Sequence, residues 1–220
     1  MSSVLCMTGW QQPADSLSDI APDAVHFDYA AYDNVETMFA ALPRAPRVAV
    51  GWSLGGQLLV RAIAGGHIWP GALILLGAPF QWVADAHFTH GVPQVVADEV
   101  QYNYARDPES MLAGFHTLIA HGDTQEKSII RALNKIRQVW KNGAFWLGEL
   151  AQASCCDLNF SVFPRTVLVH GLSDKVIPPA NAKMYAERLP ASELMEWLGC
   201  AHAPHLHNPQ SLRERIRTYV

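Results

Sequence analysis

Six short runs rich in apolar and β-branched residues recur along this chain, most of them closed by a glycine. They are "VLCMTG" (Val4–Gly9), "AVHFDY" (Ala24–Tyr29), "RVAVG" (Arg47–Gly51), "ALILLG" (Ala72–Gly77), "TVLVHG" (Thr166–Gly171) and "ELMEWLG" (Glu193–Gly199). Their apolar residues run on with little alternation, which suits strands buried on both faces of a parallel sheet. Helical stretches separate several of them, most clearly Asn34–Leu42, Gly56–Ala64 and Ala180–Leu189, and Pro209–Val220 closes the chain. Strand alternating with helix predicts an α/β domain, with a mostly parallel central sheet flanked by helices.

The alternation stops between about residues 81 and 156. That stretch reads as helices and carries aromatics throughout, among them Trp82, Phe88, Tyr104, Phe115, Trp140 and Trp146. We expect a helical lid over the C-terminal edge of the sheet, inserted into a single domain spanning residues 1–220. Half of the residues are hydrophobic and only 16% are charged, a balance that supports a packed core and argues against disorder. A net charge of −4 gives no basis for nucleic-acid binding. No apolar run approaches the roughly 18 residues of a membrane span. The opening "MSSVLCMTGW" lacks a basic leader region, so a cytoplasmic monomer with no membrane partner is expected. Cys6, Cys155, Cys156 and Cys200 show no paired spacing and read as reduced thiols.

The stretch "GWSLG", Gly51–Gly55, places Ser53 between a predicted strand and a predicted helix. A G-x-S-x-G turn there is tight enough that side chains on its flanks would collide, and it lifts the serine oxygen above the sheet edge. It also aims the Leu54 N–H, at the helix start, toward a developing oxyanion. The competing reading is a turn serine without chemistry. A nucleophilic serine needs a base, and the base needs a carboxylate, in the chain order serine, acid, histidine. "TVLVHGLSDKVIPP" offers Asp174 just past a strand, whereas Asp123 and Asp157 follow no convincing strand. "CAHAPHLHNP" offers His202, His205 and His207, of which His202 comes first in the loop and is the expected base. Pro204 and Pro209 keep the three histidines from aligning on a helix, and no carboxylate accompanies them at a metal-ligand spacing, so no metal is expected. The Trp10 N–H, in the loop after the first strand, is the expected second oxyanion donor. Its indole serves either as a wall of the acyl site or as plain core.

Taken together, "TGW", "GWSLGG", "HGLSDKVIPP" and "CAHAPHLHNP" resemble the α/β-hydrolase superfamily, and within it most closely the pimeloyl-ACP methyl ester esterases of biotin synthesis. The resemblance implies an α/β-hydrolase fold and a serine carboxylesterase that needs no cofactor. It also implies an acyl carrier protein as the partner that bears the substrate. Its implied substrate contacts are Trp10, Leu54 and the lid segment Phe115, His116, Thr117, Leu118 and Ile119. Two of the family's basic carrier-docking positions fall on Lys127 and Arg131, and two others fall on Ser110 and Gly114. Thr8 stands where the family commonly has histidine, and the sequence opens directly on the Gly-Trp strand without the hairpin that commonly precedes it.

Read from the residues alone, Ile129, Leu133, Ile136 and Trp140 recur at helical spacing and predict one buried stripe across Gln125–Lys141. Lys127, Arg131 and Lys135 recur every four residues on another face, which is either a solvated surface or a docking patch for an acidic carrier. Two other functions fit the same residues. One is a general short-chain carboxylesterase without a carrier partner, and the other is a non-catalytic hydrolase fold that only binds a ligand.

Overall fold

The structure, a computed structural model, describes residues 4–220, and the first three residues of the expected domain lie outside it. Strands β1 (Val4–Met7), β2 (Val25–His26), β3 (Val48–Trp52), β4 (Ala72–Leu76), β5 (Arg165–Gly171) and β6 (Ser192–Trp197) form one sheet in the order β2-β1-β3-β4-β5-β6. Every neighbouring pair is parallel. β1, β3 and β4 are buried at every residue, as strands covered on both faces must be. The edges are less regular. β2 is only two residues long, because Asp28 caps a 3₁₀ turn at Tyr29–Ala31 by accepting the Ala30 N–H and so ends the extended run early. β6 carries Glu193 and Glu196 and is only half buried, as an edge strand can be.

The helices are α1 (Val35–Ala41), α2 (Leu54–Ala64), α3 (Gln94–Arg106), α4 (Pro108–Ala120), α5 (Glu126–Lys135), α6 (Gly143–Gln152), α7 (Ala180–Arg188), α8 (Pro204–His207) and α9 (Pro209–Arg217). Four of them, α3 to α6, lie between β4 and β5. Residues 81–93 do not join them: this stretch is a loop pinned by isolated bridges from Gln81 to Ser154 and from Val83 to Val92, and helix begins only after Pro93. Asp107 divides α3 from α4, its carboxylate accepting the Ser110 N–H while Pro108 opens the new helix. The expected stripe from Ile129 to Trp140 is broken. α5 stops at Lys135, Ile136 is 40% exposed, and Trp140 reaches the core from a loop. The cause is tertiary: the Trp140 N–H is bonded to the side chain of Gln11, so it is lost to a helix ladder. Arg61 of α2 and Glu149 of α6 pair at 3.0 Å, fastening the inserted helices to the sheet layer.

Chain order reverses between β1 and β3, where β1 pairs with β2 on one side and with β3 on the other. In an open α/β sheet the crevice beyond the strand ends at such a reversal is where ligands bind. The residues that leave β1 and β3 at that point are Thr8–Gln12 and Ser53.

Candidate active site

β3 turns into α2 through Ser53, whose φ of 54° and ψ of −127° lie where L side chains are rarely found. The bend is feasible because of glycine. A Cβ on Gly51 would overlap the Gly56 backbone, and one on Gly55 would overlap the carbonyl of Thr8. The strained turn is held by the Ser53 N–H donating to the Leu76 carbonyl (2.9 Å) and by the Ser53 carbonyl accepting from Gly56 N (2.9 Å) and Gln57 N (3.2 Å). The hydroxyl is thereby presented at the sheet edge.

His202 Nε2 lies 3.0 Å from Ser53 Oγ, and His202 Nδ1 lies 2.7 Å from Asp174 Oδ2. An ionised carboxylate can only accept, so Nδ1 carries the proton and Nε2 is left free to accept the serine O–H. Asp174 is fully enclosed. Its Oδ1 accepts the N–H groups of Val176 and Ile177, each at 2.9 Å, and its Oδ2 also lies 3.2 Å from His170 Nε2. Burial opposes the charge on Asp174. The adjoining His202 and the hydrogen bonds from both imidazoles outweigh it, holding the carboxyl well below its ordinary range.

His202 is fixed by its backbone as well as its ring. The His202 N–H donates to the Ile119 carbonyl (3.0 Å), and its carbonyl accepts the Trp52 indole N–H (2.8 Å). The preceding Ala201 N–H donates to Asp123 Oδ2 (2.8 Å). The three histidines of the loop therefore part company. His205 is buried with its ring centroid 4.3 Å from that of Trp52, and burial, helped by nearby His202, pushes its pKa down to about 3. His207 donates to Asp123 Oδ1 at 2.9 Å. Asp123, Cys200 and His207 gather within 4.8 Å of one another, but each Asp123 oxygen already accepts a backbone N–H, and burial pushes the Cys200 thiol up so that it stays protonated.

The Leu54 N–H heads α2 and has no acceptor within the helix. Across from it, a Cβ on Gly9 would sit 3.3 Å from the Ser53 Cβ, so the loop that carries Trp10 lies directly against the serine. A cavity of about 170 Å³ opens above Ser53, walled by Trp10, Trp82, Phe115, Leu118, Leu147 and Val176 among others. Lys175 is the one charged side chain on its wall among the described residues.

The implied lid contacts divide. Phe115 and Leu118 line the cavity, and Phe115 meets Trp10 edge-on with centroids 5.5 Å apart. His116 is buried and turned away, with Nδ1 3.1 Å from Asn134 Oδ1 and Nε2 3.4 Å from Gln12. Thr117 is exposed and bonds back to the Ala113 carbonyl, while Ile119 contributes its carbonyl to His202. The Leu54 side chain is core, which leaves its N–H as its link to the site. Lys127, Arg131 and Lys135 are exposed together on α5. Sequence reading missed Trp52, His170 and the positioning role of Asp123. A signal existed for the first two, since Trp52 lies inside "GWSLG" and His170 stands four residues before Asp174. Asp123 lies 78 and 84 residues from Ala201 and His207, and its local bond to the Gln125 N–H looks like an ordinary turn, so no local pattern marks it.

Residues 6–215 match the model of the alpha/beta hydrolase family. The pimeloyl-[acyl-carrier protein] methyl ester esterase of Aromatoleum aromaticum is 32% identical over 194 residues, which cover 82% of this chain and 77% of that protein. Among solved structures, an esterase from Exiguobacterium antarcticum superposes with a TM-score of 0.78 at 17% identity, covering 98% of this chain and 91% of its own. A bromoperoxidase from Bacillus anthracis reaches 0.83 at 15% identity, covering 100% and 92%. At these identities the two structures are alike in fold.

Proposed function

Because this chain belongs to the alpha/beta hydrolase family, and is a carboxylic ester hydrolase, we propose that it hydrolyses the methyl ester of pimeloyl-ACP through an acyl-enzyme on Ser53. The observation that carries the reading is the hydrogen-bonded chain Ser53–His202–Asp174, at 3.0 and 2.7 Å, whose Ser53 end lines an apolar cavity.

In the proposed reaction His202 Nε2 takes the Ser53 proton as Oγ attacks the ester carbonyl, and Asp174 stabilises the imidazolium that results. The Trp10 and Leu54 N–H groups receive the oxyanion, each such donor being worth about 3–4 kcal/mol. His202 then gives its proton to the departing methoxide, and methanol leaves. A water, deprotonated by the same imidazole, attacks the acyl-Ser53 carbonyl and frees the carboxylic acid. Every step is performed by the chain's own groups.

Three observations support the substrate: the apolar walls of the cavity, the exposed cations of α5, and the similarity to the pimeloyl-[acyl-carrier protein] methyl ester esterase of Aromatoleum aromaticum. In this reading helices α3 to α6 form the lid, Phe115 and Leu118 hold the acyl chain, and Lys127 and Arg131 meet an acidic carrier protein. The enzyme works in the cytoplasm as a monomer.

The test is methanol release from pimeloyl-ACP methyl ester, measured beside a p-nitrophenyl ester series with wild type and Ser53→Ala. The reading expects the carrier ester to be the better substrate and the Ser53→Ala enzyme to be inactive. A wild type that turns over p-nitrophenyl butyrate but not the carrier ester is a general short-chain esterase instead. Carrier docking is tested separately. Raising the salt concentration, or the double change Lys127→Glu with Arg131→Glu, should weaken turnover of the carrier ester and leave p-nitrophenyl ester cleavage unchanged. Equal effects on both substrates would refute docking through α5.

A further inference from the structure

Two non-glycine residues among the described residues hold a positive φ: Ser53 at 54° and Gln11 at 60°. A left-handed residue with a side chain persists where its surroundings over-determine it, and such sites gather where geometry matters to function. Gln11 is such a place. Its side chain is buried, with Oε1 accepting the Trp140 N–H (2.9 Å) and Nε2 donating to the Tyr104 hydroxyl (2.6 Å). Tyr104 lies on α3, and Trp140 lies in the loop between α5 and α6. The residues on either side are tied to the same inserted segment. The Trp10 indole N–H donates to the Gly143 carbonyl (2.8 Å), and Gln12 reaches His116 of α4. Three consecutive side chains of the loop after β1 are thus anchored in the insertion and not in the sheet.

We infer that Gln11 is a positioning residue, which clamps the loop after β1 to the inserted helices so that the Trp10 N–H is aimed at the oxyanion. The inference rests on the proposed role of Trp10 as an oxyanion donor. It has a structural corollary: the inserted helices cannot lift away as a free lid without releasing that donor.

Gly143 provides a way to break the clamp from outside the loop. A Cβ there would overlap both Gln11 Nε2 and the Tyr104 hydroxyl. Gly143 is the first residue of α6, where alanine is the better helix former, so Gly143→Ala expels the Gln11 side chain while favouring its own helix. Gln11→Gly removes the clamp and leaves positive φ freely accessible, which spares the fold. Tyr104→Phe removes the hydroxyl that accepts from Gln11 Nε2 (2.6 Å) and donates to the Trp140 carbonyl (3.4 Å), while Gln11 Oε1 keeps its bond to the Trp140 N–H.

The experiment compares the three variants with wild type on p-nitrophenyl butyrate, with Ser53 titrated to completion by a fluorophosphonate so that rates are per active site. Gln11→Gly and Gly143→Ala should each lower kcat by about 10- to 100-fold with KM held within about twofold, and Tyr104→Phe should fall between them and wild type. Affinity for a trifluoromethyl ketone, whose serine adduct carries the oxyanion, should weaken by the same factor as kcat. An unchanged kcat per titrated serine, or a loss confined to KM, overturns the inference. A wild-type Ser53 that takes up no fluorophosphonate overturns the esterase reading instead, so the two failures are distinguishable.

Discussion

Replacing His205 with phenylalanine should make the protein markedly less sensitive to mild acid. In the folded chain the His205 pKa is pushed down to about 3, chiefly by burial and secondly by His202, whereas a free histidine titrates near pH 6.5. A base whose folded pKa lies below its unfolded one contributes its full stability above about pH 6.5 and loses it as pH falls toward 3. At pH 5 the unfolded chain has gained a proton at this site that the folded chain refuses. Between pH 7 and pH 5 this costs about 2 kcal/mol, or roughly 4–8 °C in Tm for a chain of this size. Phenylalanine keeps the packing against Trp52 and removes Nδ1, a buried ring nitrogen without a hydrogen-bond partner. Burial pulls the pKa of His116 in the same direction, but His116 is common to both proteins and cancels in the difference. The depressed carboxyl of Asp174 adds acid sensitivity only below its ordinary value of 3.8, outside the window. Thermal unfolding followed by circular dichroism at pH 7 and pH 5 decides the matter. If wild type and His205→Phe lose the same Tm on acidification, His205 does not carry the burial penalty assigned to it.

Two further substitutions probe how the site is built. Gly55→Ala places a methyl group into the backbone carbonyl of Thr8, which cannot yield, so urea denaturation should show a loss of about 3 kcal/mol or more; wild-type stability would mean that α2 can shift off β1. Asp123→Asn leaves a buried group that cannot accept from Ala201 N, Gln125 N and His207 together. It should cost about 1.5–3 kcal/mol in stability and slow Ser53 acylation by loosening the His202 loop, as read by Tm and by pre-steady-state burst rate. Lost stability with an unchanged burst rate would show that the loop is held adequately by Trp52 and Ile119 alone.

The interior of the sheet was legible because its strands are buried on both faces, which selects uninterrupted apolar runs such as "ALILL". Its edges were not. β2 carries the same kind of run as its neighbours, yet Asp28 bends it away after two residues. The elbow was legible because both glycines it needs stand within two residues of Ser53, although only Gly51 is required by a near neighbour, Gly56, and Gly55 is required by the Thr8 carbonyl at the end of β1. The inserted helices were legible as helices, but their limits depended on partners far along the chain. Ile136 has the right spacing for a buried stripe and is exposed, while Trp140 has left the helix to give its N–H to Gln11.

By itself, the amino-acid order determined whatever depends on near neighbours: strand, tight turn and helix around Ser53, and loops that end strands at Asp174 and His202. Local sterics and periodic burial act over a few residues and leave a mark in the pattern. Only the tertiary structure decided which groups share a proton and which merely stand near it. His202, His205 and His207 are near-equivalent as text. In space they are a hydrogen-bond partner of Ser53, a neutral ring on Trp52 and a donor to Asp123, because each is defined by a partner roughly 80 to 150 residues away. The same holds for Gln11, whose side chain is held by Tyr104 and Trp140, 93 and 129 residues away.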